Sequence, residues 1–96
     1  MTDKLSREGS MATDRPERYA KQLASHWARR GAVGEEDGAT VIRFEDGQTV
    51  VMWPEPGVLR IRASVPAGGD PDRFAQVVKV HLERFGTRQE LEVVWS

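Results

Sequence analysis

The chain has 96 residues, 39% hydrophobic and 30% charged, with no cysteine and a formal net charge of −1. This length supports a single core. No apolar run approaches the roughly 18 residues of a membrane helix. The missing cysteines exclude disulfides, thiolate catalysis and cysteine-ligated zinc, and the near-neutral charge argues against a generic nucleic-acid binder.

The opening MTDKLSREGS contains no apolar stretch of the kind a secretion signal needs, so a cytoplasmic location is expected. Residues 1–9 are polar and weakly patterned and are read as a flexible lead, with the folded α+β domain spanning 10–96. A short edge strand is expected over Ser10–Thr13. A helix then begins near Asp14–Pro16. Proline suits the first helical position, and Asp14 and Glu17 suit the positive end of the helix dipole. Tyr19, Ala20, Leu23, Ala24 and Trp27 recur at three- and four-residue spacing and form one apolar face. Arg29 and Arg30 suit the helix C-terminus, and Gly31 is the expected stop.

Three antiparallel strands are predicted next, over Ala39–Glu45, Gln48–Trp53 and Val58–Val65. Asp46-Gly47 between the first two is a strong hairpin signal. A two-residue turn there pairs Phe44 with Thr49, Ile42 with Val51 and Thr40 with Trp53. A three-residue loop, Glu55-Pro56-Gly57 with Gly57 at positive φ, then pairs Trp53 with Leu59 and Val51 with Ile61. In the last of these strands Leu59, Ile61, Ala63 and Val65 point one way, and Arg60, Arg62 and Ser64 the other.

Asp70 is a good N-cap and Pro71 a good first residue for a second helix. Phe74, Val78, Leu82 and Phe85 form its buried stripe, flanked by Ala75 and Val77. Lys79, Glu83 and Asp72 face water. Gly86 ends it, and Leu91, Val93 and Trp95 alternate inward in a last strand. The predicted fold is therefore α+β, a two-layer sandwich in β-α-β-β-β-α-β order. Two helices pack on one face of a mainly antiparallel sheet.

The two histidines, His26 and His81, both lie beside apolar helix faces. Packed side by side, the helices would bring the imidazoles together, and Glu17, Glu83 or Glu90 could add a third ligand for a metal. No HExxH-type spacing is present. The competing reading is a pair of core histidines, each with a ring nitrogen bonded to a carbonyl, serine or carboxylate. No nucleophile elbow, P-loop or dinucleotide fingerprint occurs. Catalysis is thus unsupported, and no cofactor is specified.

By the predicted register, Val41, Arg43, Val50, Met52, Arg60 and Arg62 share the sheet face that the helices leave open. Arginines mixed with aliphatic side chains suit an acidic protein partner, a carboxylate ligand or self-association. The alternative is an ordinary solvated face, with arginine stems covering the apolar residues.

TDRPERYAKQLASHWARR (Thr13 to Arg30) and HLERFGTRQELEVVWS (His81 to Ser96), with a β-patterned middle of matching length, resemble the bacterial domain of unknown function family 2218. The resemblance covers the chain from Met11 onward. Its most specific elements are Arg15-Pro16-Glu17-Arg18-Tyr19, Ser25-His26 and His81-Leu82-Glu83-Arg84-Phe85. Gly86-Thr87 and Trp27-Ala28-Arg29 depart from the family pattern, the latter lacking a further histidine that would strengthen a metal site. The resemblance implies a small bacterial α+β domain without established activity, linked to siderophore-interacting flavin reductases. Together these readings point to a non-catalytic accessory or binding module. The alternative is a small metal- or ligand-dependent enzyme using His26 and His81.

Overall fold

The structure, a computed structural model, describes residues 4–86 and 91–96. Its elements are β1 (Leu5–Ala12), α1 (Pro16–Trp27), β2 (Gly31–Glu36), β3 (Ala39–Phe44), β4 (Thr49–Glu55), β5 (Val58–Val65), α2 (Pro71–Arg84) and β6 (Val93–Trp95). The strands form one six-stranded sheet in the order β2-β3-β4-β5-β1-β6, and every neighbouring pair is antiparallel. Helix α1 lies over β3, β4 and β5, and α2 lies over β5, β1 and β6. The expected two-layer α+β arrangement is thus present, with one additional strand, β2.

Both helices form where the sequence signals them. Pro16 and Pro71 occupy first turns, and the Asp70 carboxylate accepts hydrogen bonds from the Asp72 and Arg73 N–H groups, both at 3.1 Å. Leu23 and Trp27 from α1 and Phe74, Val78 and Leu82 from α2 meet Met11, Ile42, Leu59, Ile61 and Val65 from the sheet. Each such side chain contributes about 1.5–3 kcal/mol when fully buried. Gly31 does not cap α1. It belongs to β2, where an added Cβ would lie 2.7 Å from the Arg43 carbonyl oxygen.

The first strand is longer and more central than expected. Residues 5–9 pair with β5, from Leu5 opposite Val65 to Gly9 opposite Ile61, and Gly9–Met11 also pair with β6. These residues are sheet, not lead, and β1 is not an edge. Its alternation is faint because only Met11 is both apolar and buried on the inward side. Arg7 on that side reaches Asp72 of α2 at 2.7 Å, and Gly9 leaves room for the Trp95 ring.

The β3–β4 and β4–β5 registers each differ by one residue from expectation. Phe44 N donates to the Gln48 oxygen at 2.9 Å, and Gly47 N to the Phe44 oxygen at 3.0 Å. Gly47 has φ +91°. This is a three-residue Glu45-Asp46-Gly47 loop ending in a left-handed glycine. It places Arg43 opposite Thr49 and Ile42 opposite Val50. At the next turn Glu55 pairs with Val58, leaving Pro56-Gly57 as a two-residue turn with Gly57 at φ +79°. Proline followed by a positive-φ glycine is the type II signature.

The two differences cancel across the pair of turns, so β3 and β5 keep their predicted faces. Only β4 is inverted, because a one-residue slip moves every side chain to the other face. Val50 and Met52 are fully buried under the helices, and the helix-free face carries Val51 and Trp53 instead.

Candidate functional site

The last turn of α1 and the last turn of α2 bring the two histidines together. Their ring centroids are 5.2 Å apart. Half-buried His81 also lies 5.0 Å from the Trp27 ring, and exposed His26 lies 6.1 Å from Phe85. His81 Nδ1 is 2.7 Å from the Val77 carbonyl oxygen, one turn back on the same helix. A carbonyl only accepts, so Nδ1 carries a proton, and in the neutral ring the lone pair is then on Nε2. His81 therefore makes the carbonyl bond expected of a core histidine.

Glu83 does not join them. Two residues on from His81, it projects from another side of the helix. Its carboxylate accepts from Lys79 Nζ and, at 2.9 Å, from the Val93 backbone N–H, while Lys79 also donates to the Val93 oxygen at 3.1 Å. Burial alone would raise the Glu83 pKa, but the Lys79 hydrogen bond, the Val93 N–H and the lysine charge outweigh it and hold the carboxyl below 4.5. Glu83 and Lys79 thus clamp β6 to α2 rather than facing water. Among the described residues no group of three or more His, Cys, Asp or Glu side chains could hold a metal. Glu90 lies outside the described residues.

Beside the histidines, the end of α1, the β3–β4 loop and the first two turns of α2 enclose a cleft of about 570 Å³. That size suits a small molecule. Trp27, Phe44 and Phe74 form an aromatic wall, with edge-to-face contacts at 5.3 Å between Trp27 and Phe44 and 6.0 Å between Phe44 and Phe74. Arg30, Arg73, Asp46, Asp70 and Gln48 supply the polar lining. Both carboxylates are engaged with backbone, Asp46 with Gln48 N–H and Asp70 at the helix cap. The Arg30 and Arg73 side chains make no ion pair or hydrogen bond among the described residues. Trp27 and Val77 line this cleft and also contact the histidine pair.

The sequence marks Trp27 as core, as the structure has it, and Arg30 as following the helix end, and it gives Arg73 no role. Spacing gives no signal for the two arginines: Asp70 stands three residues before Arg73, at pairing distance on a helix, and Arg30 lies beyond the end of α1.

On the helix-free face, Arg43, Arg60 and Arg62 point outward as expected. Val50 and Met52 do not accompany them, for the register reason given above. The guanidinium carbons of Arg60 and Arg62 lie 6.0 and 5.3 Å from the Trp53 ring centroid. Each arginine also has an acidic partner: Arg43 with Glu36 at 2.6 Å, Arg60 with Glu55 at 3.4 Å and Arg62 with Glu8 at 2.6 Å. The face is thus largely self-neutralised.

Residues 8–96 match the family described as "Uncharacterized protein conserved in bacteria (DUF2218)", and the chain belongs to that family. Its fold is similar to the NMR structure of PA4090 from Pseudomonas aeruginosa, with 25% identity and a TM-score of 0.69 over 96% of each chain. No match is found among curated proteins. Among the described residues no helix is long and apolar enough to cross a membrane.

Proposed function

We propose that this chain is a non-catalytic accessory or binding module of the bacterial cytoplasm, and that its ligand is a small anion with a flat apolar body. One observation carries the reading. Two arginines without carboxylate partners flank an aromatic-walled cleft whose own carboxylates are occupied by backbone N–H groups. A planar guanidinium recognises a carboxylate or phosphate through paired hydrogen bonds, and partly exposed Phe44, with the rims of the buried Trp27 and Phe74 rings beside it, suits an aromatic body. The siderophore setting suggested by the family resemblance supplies one ligand of this class. Free dihydroxybenzoate, the acid from which the catechol units of such siderophores are built, pairs a carboxylate with a flat ring; once amide-linked in the siderophore it no longer carries that charge.

The test is an NMR titration of the labelled protein with benzoate, dihydroxybenzoate and inorganic phosphate. Shifts confined to Trp27, Gln48 and Arg73 signals, weakened roughly tenfold or more in Arg30→Ala and Arg73→Ala, support the reading, since charged hydrogen bonds of this kind are worth about 1.5–3 kcal/mol. No shift with any ligand, or shifts unchanged in both variants, defeats it.

A partner surface on the open sheet face is a second reading, supported by half-buried Val51 and Trp53 between Arg60 and Arg62. Sedimentation of wild type and of Arg60→Glu with Arg62→Glu tests it. A wild-type dimer that becomes a folded monomer supports self-association, and a monomer in both rejects it.

A further inference from the structure

We infer that His26 and His81 form a two-histidine site for a borderline divalent transition metal, zinc, nickel or copper, with the remaining coordination positions open to water. The rings stand 5.2 Å apart, centroid to centroid. Two imidazoles bound to one tetrahedral ion at about 2.0–2.1 Å per bond have centroids roughly 5 Å apart, so the ring separation matches the one a shared metal requires.

The protonation pattern agrees. His81 donates from Nδ1 to the Val77 carbonyl, the outer contact that fixes tautomer and ring orientation in histidine metal ligands and leaves Nε2 as the donor atom. No hydrogen bond among the described residues uses the His26 ring, so its nitrogens are not tied to another group of the described chain. Both histidines sit in the last turn of their helices, where the dipole presents its negative end to a cation, and the neighbouring Arg29, Arg30 and Arg84 act against it.

The neighbours limit the rings without supplying ligands. Trp27 packs against His81 at 5.0 Å, and Phe85 stands edge-on to His26 at 6.1 Å. Aromatic packing alone would explain one histidine against Trp27. His26 also packs in this aromatic group, edge-on to Phe85 and 6.2 Å from Trp27, but its ring is exposed and makes no hydrogen bond among the described residues, which leaves it reachable by an ion. With two protein ligands the site resembles neither a closed structural zinc centre nor a three-ligand catalytic one. Micromolar affinity is expected, with soft or borderline ions preferred over magnesium and calcium.

The inference is independent of the anion cleft, and its test uses metal alone. Isothermal titration of the full chain with Zn²⁺, Ni²⁺ and Cu²⁺ should give one site per chain, and in a Trp53→Phe, Trp95→Phe background Cu²⁺ should quench the remaining Trp27 fluorescence because the ion sits beside that ring. His26→Ala and His81→Ala should each weaken binding by roughly tenfold or more, since each removes one of two protein ligands. His26 is exposed, so its variant tests the site in a folded protein even if His81→Ala unfolds. Several results would overturn the site: no heat with any of the three metals at millimolar concentration, binding unchanged in His26→Ala, or one metal bridging two chains.

Discussion

Met52→Ala offers the most direct check of the arrangement, because it separates the observed register of β4 from the neighbouring one. Met52 has no exposed surface and packs opposite Ile61. Truncation removes three heavy atoms and leaves a cavity, and such changes cost about 2–5 kcal/mol. Total stabilities of small domains are roughly 5–15 kcal/mol. A loss of 2–5 kcal/mol would therefore lower the melting temperature by on the order of 10–30 °C at this chain length.

Urea unfolding followed by circular dichroism and tryptophan fluorescence measures the loss, with coincident transitions as the two-state check. Met52→Leu conserves volume and should cost under about 1.5 kcal/mol. Val51→Ala, on the helix-free face and half-buried, should cost about 1 kcal/mol or less. The reasoning is refuted if Met52→Ala is neutral while Val51→Ala costs 2 kcal/mol or more. In the shifted register Val51 would be the residue under the helices.

The Glu83 clamp yields a pH dependence. Its carboxyl is lowered in the folded chain from an ordinary 4.5, so its contribution is complete above that value and is lost as pH falls through the depressed folded pKa. Glu83→Gln should destabilise by about 1 kcal/mol at neutral pH, and the difference from wild type should shrink in acid. A difference that persists at pH 2 would show that the carboxylate charge is not what matters. Gly9 predicts a steric effect, since an added Cβ would lie 2.6 Å from the Val94 oxygen and 2.7 Å from the Trp95 ring. Gly9→Val should expel β6, seen as fast hydrogen exchange at Val93–Trp95 with β3–β5 still protected. Uniform protection in that variant would contradict the packing.

The sequence by itself determined the elements whose signals are local. Pro16, Asp70 and Pro71 marked helix starts, the apolar spacing from Tyr19 to Trp27 and from Phe74 to Leu82 set the buried faces, and Leu59 to Val65 alternated plainly. These depend on backbone chemistry and period, which a chain carries with it. Tertiary structure decided the rest. Residues 5–9 became strand because β5 and β6 complete their hydrogen bonds, although Arg7 and Gly9 break the apolar pattern. Edge strand β2, with two glycines and two glutamates, carried almost no pattern at all. The β4 register turned on whether each glycine-containing loop held two residues or three, a choice made when Val50 and Met52 met the helices.

The histidines could be named as neighbours from their helix faces, but their separation required the packed helices, whereas the proton on His81 Nδ1 follows from the Val77 carbonyl of its own helix. Arg30 and Arg73 stand more than forty residues apart in the chain. Only the folding of three segments onto one cleft gives two unpaired charges a common site, because electrostatic recognition depends on distance in space and sequence spacing does not specify it.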